Sequence, residues 1–277
     1  DVLVGQPDFS QLDADSYSLR YGSGFVYWRP QIFKGSERWT YKGVLHEYPV
    51  CTSKVEASKG CIEGNYHMDS RRLGARSLVD PVVKYLGDAR VLEQALQHES
   101  DPDLTRRYLF YLAQSYRDGG RPDLAIAWYQ KRIEAGGWAE EVWFSKYQTG
   151  LLHELLGDAE KAKKFYLDAY EYRPVRAEAL YSLGKMCNLR REFFQARLFL
   201  EAASKIPLTG DQLFVFKDMY DYLIAFELSI SAYWVGDFKW SIALSDQLLG
   251  MKDKIPLNIF EQAQRNRDFG VGKLSAR

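Results

Sequence analysis

Residues 109–130 read LFYLAQSYRDGGRPDLAIAWYQ, residues 146–174 read KYQTGLLHELLGDAEKAKKFYLDAYEYRP, and residues 180–203 read LYSLGKMCNLRREFFQARLFLEAA. Leu109, Leu112, Ala113, Tyr116, Ala125 and Tyr129 of the first stretch correspond to Gly150, Ala162, Tyr166, Ala169 and Pro174 of the second. Both sets correspond to Leu180, Leu183, Gly184, Ala196, Leu200 and Ala203 of the third. Ala125 to Ala162 is a step of 37 residues, and Ala162 to Ala196 a step of 34. Small residues recur where two helices must touch, with large apolar ones beside them. A period of about 34 in this pattern marks stacked helix–turn–helix units. One such unit cannot bury its own apolar face, so the units must stack into a solenoid.

Outward from this core, Asp80-Pro81 and Asp101-Pro102 each supply a capping acid followed by proline at the first helical position. The reading places helices from Asp80 to His98, from Asp101 to Gly119, and from Pro122 to Gly136. Helical pairs follow at Ala139–Leu156 with Ala159–Tyr172, and at Ala177–Leu189 with Glu192–Lys205. A degenerate fourth pair spans Asp211–Val235 and Phe238–Leu248, with Gly157-Asp158 and Gly236-Asp237 in the same inter-helix turn. A polar terminal helix, Pro256–Asp268, would cover the last apolar face, and 270–277 would fray.

Residues 1 to about 66 differ. Tyr17–Tyr21 and Phe25–Trp28 read as strands around Gly22-Ser23-Gly24. Trp39–Tyr41 and Gly43–His46 read as extended, and 51–66 as loop with one more strand. The expected fold is mainly α: a tetratricopeptide-like solenoid at 80–270, preceded by a small β-containing region at 1–70.

Composition narrows the function. Lys+Arg and Asp+Glu are both 37, so no electrostatic footprint for nucleic acid is present. Three cysteines, Cys51, Cys61 and Cys187, lack disulfide-framework or zinc spacing and fit a reduced, cytoplasmic setting. No apolar run reaches membrane-spanning length. Aromatics make up 15%, which suits helix packing first and sugar-binding surfaces second. No Ser/His/Asp or Cys/His arrangement suggests a hydrolase. His153 and Cys187 fall on repeat helices and are expected to pack. Arg71 and Arg72, with Arg76, read as surface or capping residues before phosphate contacts.

Tyr27-Trp28-Arg29-Pro30-Gln31-Ile32-Phe33-Lys34 precedes Trp39-Thr40-Tyr41-Lys42-Gly43-Val44-Leu45-His46-Glu47-Tyr48. Here the chain resembles the C-terminal part of the catalytic domain of family 2-type glycosyltransferases, of the A-type nucleotide-sugar fold. Many of these carry a tetratricopeptide array after that domain. The residues that carry the resemblance are Arg29, Phe33, Trp39, Tyr41, Gly43, His46 and Glu47, and it extends over residues 15 to 250. It implies that His46 helps hold a divalent metal (Mn or Mg) on the diphosphate of a nucleotide-sugar donor. It implies Glu47 as the catalytic neighbour, with Trp39, Tyr41 and Arg29 against substrate. A metal on the diphosphate would stabilise the leaving nucleotide.

Asp13-Ala14-Asp15 spells the D-x-D of these enzymes, but it follows a poor strand and reads as a solvated turn before Tyr17. The metal-binding acids and the general base are therefore expected upstream of Asp1, leaving this chain as the acceptor-side and repeat portion, inactive alone. A non-catalytic adaptor that binds a peptide or protein is the alternative. In either case a groove along the first helices of the pairs is expected, lined by Tyr108, Tyr111, Gln114, Ser115, Lys146, Tyr147, Tyr181 and Lys185. Strand edges left without neighbours would favour a dimer.

Overall fold

Four inter-helix turns share one hydrogen-bond signature. The amides of Arg121, Asp158, Glu192 and Asp237 donate to the carbonyls of Tyr116, His153, Cys187 and Ala232, at 2.8, 2.9, 2.9 and 2.9 Å. The residue before each donor is left-handed: Gly120, Gly157, Arg191 and Gly236, at φ 73°, 79°, 61° and 87°. This is the glycine-type helix stop that satisfies orphaned carbonyls and lets the next helix fold back. It recurs once per repeat.

The computed structural model describes residues 1–71 and 78–275; Arg72 and Arg76 lie outside the described residues. It forms two compact units, residues 1–162 with 211–215, and residues 163–210 with 216–277. The division falls inside a helix, and the β-containing region and the first helices lie in one unit.

In the first unit the strands are β1 (Val2–Asp8), β2 (Ser16–Tyr21), β3 (Phe25–Phe33), β4 (Trp39–Lys42), β5 (Tyr48–Cys51), β6 (Lys59–Cys61) and β7 (Glu63–Asp69). The main sheet runs β1-β7-β2-β3, with β6 parallel to β2; β4 and β5 form a separate antiparallel pair. Tyr17, Ile62 and Tyr66 are its core. The expected hairpin around Gly22-Ser23-Gly24 is β2–β3. One strand was not read from the sequence, and one expectation differs. Strand β1 pairs along its whole length with β7. Residues 43–47 form a bend between β4 and β5 instead of extended chain, because contacts from a distant helix turn them.

Four helices complete this unit, α1 (Pro81–Leu96), α2 (Pro102–Asp118), α3 (Pro122–Glu134) and α4 (Ala139–Leu155). Asp80 and Asp101 cap α1 and α2 as their sequence predicts, accepting from Val83 N and from Asp103 N and Leu104 N. Ala125 is fully enclosed, and Arg132 and Glu141 form a buried ion pair at 2.8 Å. Burial pushes the Glu141 carboxyl up while Arg132 pulls it down. Residues 211–215, expected to begin a helix, are irregular up to a strand start at Val215. Both Gln212 N and Leu213 N donate to Glu140, and Trp28 N donates to Gln212 O. Phe214, at φ 50°, then sits within 4.9–6.3 Å of Phe25, Tyr27, Phe110 and Phe144.

Helix α5 (Ala159–Tyr172) contains the division between units. The second unit holds α6 (Glu178–Leu189), α7 (Phe193–Ser204), α8 (Ile224–Trp234), α9 (Phe238–Leu249) and α10 (Leu257–Ser275). Gly184 is required where α6 meets α7, since an added Cβ would lie 2.4 Å from Leu200 Cγ. Arg176 and Glu178 form a wholly buried pair at 2.7 Å, and the Tyr220 hydroxyl donates to the same carboxylate. A π-helical turn, Met219–Leu223, precedes α8. Helix α10 continues past Asp268 to Ser275 instead of fraying, because Gly270 is buried against Ile242 of α9.

Candidate functional site

The motif around His46 is built as a bend locked onto α2. Gly43 turns the chain at φ 115°, and His46, a non-glycine residue, holds φ 52°. Such a conformation costs on the order of 1 kcal/mol and persists only where neighbours enforce it. The neighbours are explicit. Arg107 donates through Nε and Nη2 to the His46 carbonyl at 2.8 and 2.6 Å. Val44 N donates to the Tyr108 hydroxyl at 3.1 Å. The His46 ring lies flat on Tyr111, centroids 3.8 Å apart at 5°. The Arg107 guanidinium sits between Tyr48 and Tyr111, at 4.8 and 4.9 Å from their ring centres.

The residues singled out by sequence meet here in part. Burial pushes the Tyr111 phenol up, against a lowering pull from Arg107 and Arg29, so Arg29 of β3 stands within electrostatic reach. Its guanidinium also covers the Tyr21 ring at 5.3 Å. Trp39 tilts on Phe33 at 5.0 Å and donates to Lys34 O. Tyr41, His46 and Glu47 are exposed.

Asp13 and Asp15 are occupied, and Asp15, expected in a solvated turn, is instead buried because Lys54 and Ser58 close over it. Tyr17 donates to Asp13. Asp15 accepts from Lys54 Nζ at 2.5 Å and from Ser58 N and Oγ at 2.9 and 3.0 Å. Lys54 first, and the Ser58 amide next, hold the Asp15 carboxyl down at about 2. Among the described residues no group of three His, Cys, Asp or Glu is placed to hold a metal ion, so the donor set around His46 does not by itself make a metal centre.

The expected groove residues divide. Tyr108, Tyr147 and Tyr181 are 2%, 1% and 5% exposed and belong to the packing rather than to an open wall. Tyr108 bonds the bend, Tyr147 stacks on Trp143 at 5.2 Å, and Tyr181 is closed in, its phenol pushed up by its own burial first and by the Glu227 charge next. Ser115 is also buried, while Tyr111, Gln114 and Lys146 are half-buried and Lys185 is exposed.

Sequence reading missed the most distinctive feature of these faces. Where Ala113 corresponds to Gly184, Gln114 and Arg117 correspond to Lys185 and Asn188. In each unit an amide on this face has one buried atom with no hydrogen-bond partner among the described residues: Gln114 Nε2 in one, Asn188 Oδ1 in the other. The helical spacing of Asn188 from Tyr181 and Lys185 was the available signal.

Among the described residues, no helix is long and apolar enough to cross a membrane. No protein-family model and no curated protein matches the chain. Among solved structures, BtubC (BKLC) from P. vanneervenii is similar at a TM-score of 0.50 and 22% identity, over 62% of this chain and 76% of that one. A tetratricopeptide repeat protein from Parabacteroides merdae ATCC 43184 is similar at a TM-score of 0.51 and 16% identity, over 70% of each chain. Likeness at this identity is a likeness of fold: mainly α, tetratricopeptide-like helical repeats, here with a small N-terminal strand region.

Proposed function

We propose that the helical repeats bind a protein or peptide partner, with the first helices of the pairs, α2 in one unit and α6 in the other, each offering its own contacts. The orphaned amide atoms of Gln114 and Asn188 carry this reading. A buried polar atom left without a partner costs about 1–3 kcal/mol, and a repeat helix has many apolar alternatives at such a position. A bound peptide main chain would complete each of them within its own unit. A displayed peptide library panned on the chain tests the proposal. We expect an enriched motif whose affinity falls in Gln114→Leu or Asn188→Leu while stability holds or rises. Absence of enrichment, or affinity unchanged in both variants, overturns it.

A second reading has its own support. The enforced left-handed backbone at His46 and its stacking on Tyr111 suit the acceptor side of a nucleotide-sugar glycosyltransferase. In this reading Trp39, Tyr41 and Arg29 contact sugar, Glu47 is the catalytic neighbour, and the repeats hold a protein or peptide acceptor. His46 would supply one ligand to a divalent metal on the donor, the rest coming from outside the described residues. A cytoplasmic setting suits the three free cysteines. A second copy adding a strand to the outer edge of β1 would make a dimer, which sedimentation would detect. Calorimetric titration with manganese and a uridine or guanosine diphosphate sugar tests the donor site. Binding lost in His46→Ala supports it, and equal binding by that variant removes His46 from it.

A further inference from the structure

On α6, Tyr181, Lys185 and Asn188 fall at positions i, i+4 and i+7 and so share one face. Asn188, 9% exposed, turns its Nδ2 toward α8, where it donates to the Glu227 carbonyl and to Glu227 Oε2, both at 2.9 Å. That fixes the amide's orientation, because a flip would set Oδ1 against two acceptors. Oδ1 therefore points away from Glu227, buried and with no donor among the described residues. Glu227 is half-buried one turn after the π-helical segment that opens α8, and such insertions often mark functional positions. No cation among the described residues forms an ion pair with its carboxylate, and Asn188 is its side-chain hydrogen-bond donor. Lys185 acts on it only through space from an exposed stem. Tyr181 is closed in on the same helix face, its phenol pushed up first by burial and then by the Glu227 charge.

Two acceptors at one contact between α6 and α8, one anionic and one neutral, lack a positively charged multi-donor group. An ammonium or guanidinium supplies several N–H donors and the opposite charge at once. We propose that Asn188 and Glu227 form a receptor for a lysine or arginine side chain of a bound peptide. The assignment rests on the reading of the repeats as partner-binding and gives that partner a basic residue. Lys185 is not a ligand of this site but a competitor at its rim.

The test uses the full chain and three probes, acetyl-Gly-Lys-Gly-amide and its norleucine and glutamate counterparts, followed through the side-chain amide resonances of Asn188. The lysine peptide is expected to move them and the norleucine peptide to leave them in place. Glu227→Gln, which keeps the acceptor for Asn188, should weaken the lysine peptide about tenfold. Lys185→Ala should tighten it about twofold by removing a like charge. Thermal melts of both variants confirm that each is folded. Silent Asn188 resonances, equal shifts from norleucine, or preference for the glutamate peptide with weakening in Lys185→Ala would each overturn the site. If library-selected peptides still bind while these outcomes appear, the receptor fails and the partner-binding reading stands. If no selected peptide binds, the broader reading falls with it.

Discussion

The bend at 43–48 and the Asn188–Glu227 cluster make an instructive pair. The bend is exposed, rich in residue types that do chemistry, and three of its groups are already engaged: the His46 carbonyl by Arg107, its ring by Tyr111, the Val44 amide by Tyr108. The cluster is enclosed, made of an amide and an acid that no motif scan would choose, and it leaves an acceptor unmet. Exposure and availability are thus different properties. Hydrogen-bonding capacity left over after folding is the better guide to where a ligand can gain free energy, because a saturated group must break one contact to make another.

The buried pair Arg176–Glu178 is the saturated extreme, so breaking it should produce the largest effect. Arg176→Met strands the Glu178 carboxylate with only Tyr220 and neighbouring amides, and should cost about 3–5 kcal/mol in urea unfolding. Replacing both partners with apolar residues should recover most of this. A loss in the single variant no larger than that of a surface change would break the equation of saturation with structure. Next comes Arg107→Ala, which removes two hydrogen bonds to the His46 carbonyl and two cation–π contacts. We expect a loss of about 1–2 kcal/mol and faster hydrogen exchange at Val44, with the Asn188 resonances unmoved. Unchanged exchange would mean the bend holds itself.

Legibility in sequence follows the distance over which each feature is enforced. The repeats were legible because their determinants are local: an enclosed alanine per unit, a left-handed residue at each turn, an Asp-Pro at the starts of α1 and α2. Strand β1 was not, since its Val-Leu-Val-Gly-Gln-Pro gains strand geometry only by pairing with β7, beginning with Val2 opposite Asp69. The 43–47 segment looks β-prone, and what bends it is Arg107, 61 residues away. Residues 211–215 look helical and amphipathic, yet Glu140, 72 and 73 residues earlier, takes the Gln212 and Leu213 amides. Of the site residues, Lys185 and Tyr181 were visible as one helix face. Asn188, one turn on, was not, because its meaning lies in Glu227, 39 residues later.

A milder effect distinguishes the two kinds of polar group by pH. Asp15 is saturated, and Lys54 and the Ser58 amide hold its carboxyl at about 2, below the ordinary value of 3.8. A carboxyl depressed on folding contributes stability above its unfolded pKa and loses it as pH falls through the folded one. Wild-type stability should therefore decline from about pH 4 toward pH 2 more steeply than that of Asp15→Asn, in acid titrations followed by circular dichroism. Parallel curves would show that the Lys54 contact does not survive in solution.

Glu227 should behave in the opposite sense, and its variant should have the smallest effect on stability. Burial first pushes its carboxyl up, and Asn188 and Lys185 pull it only partly back. A carboxyl raised on folding favours the folded state below its unfolded pKa, and that advantage disappears as pH rises through the folded value. At neutral pH its ionised form is thus a cost. Glu227→Gln should melt slightly higher than wild type at pH 7 and no higher at pH 4, where both side chains are neutral. The same substitution is expected to weaken the basic peptide about tenfold. A residue whose replacement stabilises the fold while impairing binding is retained for its ligand, since packing alone would have removed it. A variant that loses stability and binding together would place Glu227 with the saturated groups and erase the contrast between the two regions.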